Sequence, residues 1–137
     1  MVIEHKKSLL IPDSDSKEFW DAAGRHELFL QKCLQCGKFL YPPGPVCPDC
    51  LSLELKWEQV KGGGSVYSFT VVRIPIGSEW AQEVPYILAA IELDCGVKMV
   101  STVINCDAKD VKIGMKVRLV FSDRVGELSV PKFEPVP

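Results

Sequence analysis

The chain contains few of the features on which membrane spans and electrostatic nucleic-acid binding depend. Its 137 residues carry a net charge of −2 at pH 7, from 16 basic and 18 acidic side chains. No apolar run approaches the roughly 18 residues that a membrane-spanning helix needs. The balanced charge gives no general attraction to nucleic acid or to anionic lipid. We therefore expect neither a membrane protein nor a strongly basic nucleic-acid binder.

A secretion signal is also missing from the N-terminal stretch MVIEHKKSLLIPDSDSKEFW. This stretch is charged and shows no apolar h-region followed by a small-residue cleavage site. We therefore expect a cytoplasmic protein. Because cytoplasmic thiols are kept reduced, the six cysteines favour metal ligation over disulfide bonds.

The motifs of common catalytic centres are absent as well. There is no nucleophile elbow and no dinucleotide-binding fingerprint. The run KGGGS at 61–65 is not a phosphate-binding P-loop, because its lysine precedes the glycines and a strand pattern follows. We interpret it as a flexible connector, or a bulge at a barrel corner. The only histidines, His5 and His26, are distant in sequence from Cys95 and Cys106, so nothing supports a Cys–His nucleophile.

The most specific motif is a pair of Cys-x-x-Cys sequences. Cys33 and Cys36 form the first, Cys47 and Cys50 form the second, and ten residues separate them. Two residues between ligands allow a turn to direct both sulfurs at one ion, and four thiolates make a closed, structural zinc site. Iron in a rubredoxin-like site uses the same ligands and stays open as an alternative. We predict that the metal stabilises the fold and does no chemistry.

A short helix is expected before the cysteines, over residues 17–23, after a capping serine and before Gly24. Phe19 and Trp20 lie together on its apolar face. Since a fully exposed tryptophan on so short a helix would be unusual, this face is expected to dock. It docks either on the protein's own body or on a partner protein.

Strand patterns dominate the remainder of the chain. We expect strands at 28–33, 53–60, 66–74, 86–93, 98–105, 115–125 and 127–133. A short helix is expected within 107–114, and Pro131 indicates that the later part of the last strand is a sheet edge. Five strands with a helix between the third and fourth is the order of an OB-fold barrel, although other small barrels remain possible.

The motifs also follow one another in a characteristic order. They are FWDAAGRHELFLQKCLQCGKFLYPPGPVCPDC, a tryptophan at 57, GGGSVYSFTVV, PYILAAIELDCGVKM, IGMKVRLVF and PKFEP. This order resembles the two-domain zinc-ribbon/OB-fold family once numbered thirty-five among domains of unknown function, over about residues 16–135. The resemblance implies a mainly β fold. Its parts would be a short N-terminal helical segment (1–27), a rubredoxin-like zinc ribbon (28–60) and a five-stranded OB-fold barrel (61–137).

The resemblance also implies a function. Members of that family are associated with thiolases, hydroxymethylglutaryl-CoA (HMG-CoA) synthases and related acyl-CoA or polyketide enzymes. This chain would then be a non-catalytic accessory or scaffold subunit, with a thiolase or an HMG-CoA synthase-like enzyme as its partner. It would also contribute to acyl-CoA binding. The zinc ligands would be Cys33, Cys36, Cys47 and Cys50, and the family provides no catalytic motif to transfer.

Candidate ligand-binding residues follow from the chemistry of coenzyme A (CoA), which carries phosphates on a long pantetheine arm. Such a ligand needs basic groups beside an apolar channel. The candidates are Lys38, Lys61, Arg73, Trp80, Tyr86 and Lys98. Phe19 and Trp20 are the candidates for partner contact. Two other functions stay open: a module that binds single-stranded nucleic acid through stacking aromatics and a basic groove, and a stand-alone acyl-transfer enzyme.

Overall fold

The computed structural model describes residues 12–78, 81–125 and 128–137. Within them, one helix and eight strands are found: α1 Lys17–Gly24, β1 Phe29–Cys33, β2 Phe39–Leu40, β3 Leu55–Gln59, β4 Gly63–Val72, β5 Tyr86–Leu93, β6 Lys98–Val103, β7 Lys116–Val125 and β8 Leu128–Pro135. The first three strands form an antiparallel sheet of order β2-β1-β3, and the other five form a closed barrel of order β4-β5-β6-β8-β7. The predicted mainly β fold with one short helix is confirmed.

Helix α1 begins where the sequence predicts it. Before its first turn, the backbone N–H of Ser16 donates to the Asp13 carboxylate at 2.8 Å, and the Asp13 N–H donates to the Ser16 hydroxyl at 3.1 Å. The helix turns Phe19 inward until only 4% of it is exposed. Trp20 packs edge-on against Phe19, with 5.1 Å between ring centroids. The apolar face thus docks on the protein's own body. No helix within the described residues is long or apolar enough to cross a membrane.

The three-stranded ribbon sheet shares its core with the barrel. Leu30, on the central strand β1, is fully buried in the same apolar cluster as Phe19 and Phe133. A separate small cluster inside the ribbon consists of Cys33, Cys47 and Leu40, with two half-buried neighbours. Because so little apolar surface is buried in that cluster, we expect a bound metal to stabilise this part of the ribbon.

The barrel has the strand order of an OB fold. Strand β5 turns Ile87 and Ile91 into the barrel interior and leaves the residue that follows each of them on the outside. A hairpin joins it to β6 through Gly96, whose φ of 98° favours glycine. The barrel closes where β6 and β8 run parallel and Val103 pairs with Phe133. The five-stranded barrel predicted for the C-terminal part is confirmed.

The glycine run is part of strand β4 and is not a flexible connector. Gly63 and Gly64 pair with strand β7, and Gly64 also pairs with strand β5, so the run is clamped between two neighbours. A Cβ on Gly64 would lie 2.5 Å from the Glu92 carbonyl oxygen. The register shift of a bulge follows a few residues later, between Val66 and Ser68. Glycine is needed here because the backbones approach closely.

Two sequence predictions for the barrel were wrong. Residues 107–114 form no helix: a turn closes when the Asp110 N–H donates to the Asp107 carbonyl at 2.9 Å, and Val111 then enters the core. A second turn, through Gly114 at a φ of 87°, leaves no room for a helix. The later part of β8 is not a sheet edge either, because Phe133 pairs with β6 as well as with β7.

Candidate functional site

The four paired cysteines come together at the tip of the ribbon. Their Sγ atoms all lie within 4.8 Å of one another. Cys33 Sγ is 3.5 Å from Cys50 Sγ, and Cys36 Sγ is 3.7 Å from Cys47 Sγ. Zinc–sulfur bonds of about 2.3 Å in a tetrahedron place sulfurs about 3.8 Å apart, so these spacings fit a zinc ion. The sequence prediction that the four cysteines come together in one cluster is confirmed, and the geometry of the cluster is consistent with a zinc ion.

Two equivalent turns produce this arrangement. The Gly37 N–H donates to the Cys33 carbonyl, and the Leu51 N–H donates to the Cys47 carbonyl, each at 2.9 Å. Both turns end on a left-handed residue, with φ of 78° at Gly37 and 65° at Leu51. The Cys36 N–H also donates to Cys33 Sγ at 3.4 Å. Each turn therefore directs two sulfurs to the same side.

The electrostatics of the site fits a bound cation. The backbone N–H of Cys36 is the main reason that the pKa of Cys33 falls to about 6. The pKa of Cys50 is instead raised to about 12: the Ser52 N–H is the largest influence and lowers it, but burial and the neighbouring sulfurs together outweigh it. Four thiolates at this distance repel one another unless a divalent ion compensates them. An all-sulfur, four-coordinate set leaves no position for water or substrate, which is consistent with a structural zinc ion.

The structure does not bring the ligand-binding candidates that it describes together in one place. Lys38, at the metal tip, pairs with Asp49 at 3.0 Å. Lys98 lies over the Tyr67 ring, with its ammonium nitrogen 4.3 Å from the ring centroid. Trp80 lies outside the described residues.

Strand register separates the remaining candidates on the barrel. Tyr86 begins β5 and pairs with Val72, so Arg73 follows at the same end of the strand. Lys98 pairs with Glu92, six residues further along β5, which corresponds to about 20 Å. Arg73 and Tyr86 are therefore neighbours, and Lys98 lies well away from them.

The candidates for partner contact also differ in their surroundings. Phe19 is buried and its ring centroid lies 6.0 Å from that of Tyr41, so it offers almost no surface to a partner. Trp20 is half-buried and packs against the same core. Of the two alternatives for the apolar face of this helix, the protein's own body and a partner protein, Phe19 docks on the protein's own body.

A large open cleft lies between the ribbon and the barrel. Its volume is about 820 Å³, and it is lined by residues 26–28, 59–63 and 118–121. Among the described ligand-binding candidates, Lys61 alone lines this cleft. Arg118 and His26 line it as well, although neither was predicted from the sequence. The alternating pattern of β7 indicates that Arg118 points away from the barrel interior. Nothing in the sequence indicates that His26 lines the same cleft as Arg118. We call this feature the ribbon–barrel cleft.

Comparison with known protein families identifies both parts of the fold. The family described as "ChsH2, rubredoxin-like zinc ribbon domain" matches residues 20–56. The family described as "ChsH2, C-terminal OB-fold domain" matches residues 57–122.

Among solved structures, one described as "Ltp2-ChsH2(DUF35) aldolase" superposes with a TM-score of 0.81 and 33% identity. The match covers 90% of this chain and 96% of that one. A DUF35 structure from Sulfolobus solfataricus, with a TM-score of 0.62 and 18% identity over 90% of this chain and 86% of that one, shows the fold alone.

Curated relatives carry two kinds of name. A "DUF35 domain-containing scaffold protein" of Methanothermobacter thermautotrophicus is 35% identical over 71% of this chain and 73% of its own length. A "Probable enoyl-CoA hydratase alpha subunit" of Thermomonospora curvata is 33% identical over 96% of this chain. A "3-oxo-4,17-pregnadiene-20-carboxyl-CoA hydratase alpha subunit" of Mycobacterium tuberculosis is 34% identical over 80% of this chain.

The two hydratase subunits are much longer proteins, of which the chain spans 42% and 34%. The likeness to them therefore concerns one part of each. Zinc ribbon, barrel and cysteine tetrad all agree with the matched families. The chain belongs to the DUF35/ChsH2 family, in which a rubredoxin-like zinc ribbon precedes an OB-fold domain.

Proposed function

We propose that this chain is a non-catalytic accessory or scaffold subunit of an acyl-CoA enzyme of the thiolase or HMG-CoA synthase type. One observation carries the proposal: the chain matches 96% of a polypeptide solved as part of an Ltp2-ChsH2(DUF35) aldolase, at a TM-score of 0.81. Relatives named as scaffold proteins favour the structural role. Relatives named as hydratase subunits for CoA thioesters favour acyl-CoA chemistry, to whose substrate binding this chain would contribute.

An exposed apolar area on the barrel supports docking to an enzyme subunit. Tyr67 is 53% exposed, Leu88 36% and Val100 65%. Val100 pairs with Ala90 on the neighbouring strand, so it lies diagonally from Leu88 on the same outer side. We call Leu88, Ala90 and Val100 the outer sheet face. Tyr67, on strand β4, adds an exposed aromatic ring that lies under the Lys98 ammonium. Neighbouring exposed apolar side chains are typical of protein–protein contact.

The side chains that could serve as nucleophile or base support a non-catalytic role. Burial is the main reason that the pKa of the Cys106 thiol is raised, which opposes formation of a reactive thiolate. His26 stacks on Phe121, with 5.2 Å between ring centroids and planes within 4°, and has no hydrogen bond to a carboxylate or thiol within the described residues. Among the residues that the structure describes, neither group has the partner that nucleophilic or general-base catalysis requires.

Purification of the untagged protein from its own cells, with mass spectrometry of the co-purifying proteins, tests the proposal. We expect a thiolase-like or acyl-CoA synthase-like subunit in stoichiometric amount. Recovery of the protein alone, or with RNA-processing proteins and nucleic acid, would contradict the proposal. The second result would favour the nucleic-acid-binding alternative.

A further inference from the structure

Two cationic side chains line the ribbon–barrel cleft, and within the described residues at least part of each is without an ion-pair partner. The Lys61 ammonium has no hydrogen bond or ion pair with any described residue. Arg118 uses its Nε to contact the Glu134 carboxylate at 3.3 Å, and its terminal nitrogens make no further contact of this kind within the described part of the chain. The Arg118 side chain remains 55% exposed. Both cations are available to an anion.

The backbone fixes the position of Lys61. On one side, the Val60 N–H donates to the Leu28 carbonyl at 2.9 Å, which ties the chain to the ribbon. On the other side, the Leu119 N–H donates to the Gly62 carbonyl at 2.8 Å, which ties it to the barrel. Lys61 is thus the single residue between two anchored neighbours. The same β4–β7 pairing aligns Gly63 with Arg118 and brings the two cations to one cleft.

Negative charge around the cleft offsets this pair only in part. Glu134 pairs with Arg118 at 3.3 Å, and an Asp94 carboxylate oxygen lies beside Gly63, which lines the cleft. Glu27 is the only acidic side chain that lines the described cleft, and its carboxylate already lies 3.6 Å from Arg25. Glu134 orients Arg118 and does not line the cleft. An Arg held through Nε keeps its two terminal nitrogens for a bidentate contact, the geometry that phosphate favours.

Part of the cleft lining is apolar. It includes Val60, Leu119 and Phe121, and Val60 and Leu119 also pack against the main core. Ligand sites commonly combine an apolar lining with a few polar groups, in volumes of about 300–1,000 Å³, and the cleft has about 820 Å³. It therefore fits a ligand with a phosphate end and a less polar arm.

We propose that the ribbon–barrel cleft binds the phosphate-bearing end of a CoA-type organic anion, with Lys61 and Arg118 as the phosphate contacts. This inference rests on the proposed function for the identity of the ligand class. Four of the residues predicted from sequence, Lys38, Arg73, Tyr86 and Lys98, then have no part in phosphate binding.

A small ligand suits the cleft better than a nucleic-acid strand does. Nucleic-acid grooves need a track of cations along several phosphates and aromatic faces open to the bases. Here two cations lie in one region, and one face of Phe121 is covered by the His26 ring.

Isothermal titration of the zinc-loaded, full-length protein at low ionic strength tests the site. The probes are CoA, ADP and pantetheine, which separate the phosphates from the arm. We expect CoA and ADP to bind and pantetheine to bind at least about tenfold more weakly, since a charge-assisted contact is worth one factor of ten or more.

Substitutions in the cleft provide the second readout. Lys61→Glu and Arg118→Gln are each expected to weaken CoA binding about tenfold or more. Glutamine retains an N–H donor for the Glu134 carboxylate, so the fold should be preserved in Arg118→Gln, and melting curves check this. Lys112→Glu is the matched control, because Lys112 is exposed and lies outside the cleft, and the substitution changes the charge by the same amount as Lys61→Glu. The affinity of the Lys112→Glu variant for CoA should stay within about twofold of that of the unsubstituted chain.

Four results would overturn the inference. They are no CoA binding up to millimolar concentration, CoA binding that Lys61→Glu and Arg118→Gln leave unchanged, equal loss of binding in Lys112→Glu, and displacement of CoA by a single-stranded oligothymidylate with steep salt dependence. The proposed function fails separately, through the native purification. If an acyl-CoA enzyme co-purifies but CoA binding does not depend on Lys61 and Arg118, the cleft proposal is wrong and the proposed function stands. If CoA binding depends on these residues but no partner enzyme co-purifies, the cleft proposal stands and the proposed function is wrong.

Discussion

Gly62 and Leu119 meet at the seam between the ribbon and the barrel. The Leu119 N–H donates to the Gly62 carbonyl at 2.8 Å, and a Cβ built on Gly62 would overlap the Leu119 side chain. No larger residue fits unless the Leu119 side chain or strand β7 moves. Gly62 and Leu119 both line the ribbon–barrel cleft, so this close approach contributes to its shape.

Gly62→Ala is therefore expected to destabilise the fold by about 1–3 kcal/mol, the usual cost of overpacking. Thermal and urea unfolding measure the change. Gly24→Ala is the matched control, because a Cβ at Gly24 meets nothing within 4 Å, and its stability should stay equal or rise slightly. Equal stability of the two variants would show that the seam relaxes freely.

Leu51 occupies a backbone conformation that favours glycine. Its φ is 65° and its side chain is 74% exposed, so a leucine there is strained and contributes little packing. Leu51→Gly should stabilise the metal-loaded protein by about 1 kcal/mol. Leu53→Gly, at an exposed position without positive φ, should instead lose about 0.5–1 kcal/mol. A loss at both positions in chemical denaturation would refute the assigned strain.

Loss of one metal ligand should unfold the ribbon tip. Structural zinc contributes on the order of 10 kcal/mol to modules with little apolar core, and the ribbon's own core is three residues with two half-buried neighbours. Cys47→Ser is expected to lower the metal content and the Tm together, whereas Cys95→Ser should keep both. Elemental mass spectrometry distinguishes zinc from iron in the same samples. Full metal content with unchanged melting in Cys47→Ser would contradict the structural role.

The outer sheet face is expected to contact the partner enzyme. Val100→Lys places a charge on this face and should reduce co-purification of the partner about tenfold or more, with little change in Tm, because Val100 is 65% exposed. Ile113→Lys is the matched control, since Ile113 is 70% exposed and lies in the loop before β7, outside strands β5 and β6. Undiminished partner recovery with Val100→Lys would place the interface elsewhere.

Local sequence patterns predict most of the elements. Strand β5 is expected at 86–93 and lies there, because its residues alternate between the barrel interior and the outside. The four cysteines are expected to form one cluster because two tight turns can direct four sulfurs at one ion, and they do so. Both results depend on neighbours in sequence and on well-defined turn chemistry.

Features that depend on distant parts of the chain are harder to predict. Arg118 reaches the cleft because strand β7 pairs with the glycine run, and His26 reaches it because the segment after α1 lies beside that strand. Neither relationship can be read from sequence spacing. The helix expected within 107–114 is absent for a similar reason: burial of Val111 in the barrel favours two turns over one helix.

The most direct test of the account compares acyl-CoA turnover by the purified chain with turnover by its native assembly. Loss of the substrate and formation of product, free CoA included, are followed by liquid chromatography for a series of acyl-CoA thioesters at equal concentrations of the chain. The account predicts turnover by the assembly and none by the zinc-loaded chain alone, because the chain contributes docking and ligand binding without a catalytic group. Turnover by the pure chain at the rate of the assembly would contradict it and make this protein an enzyme in its own right.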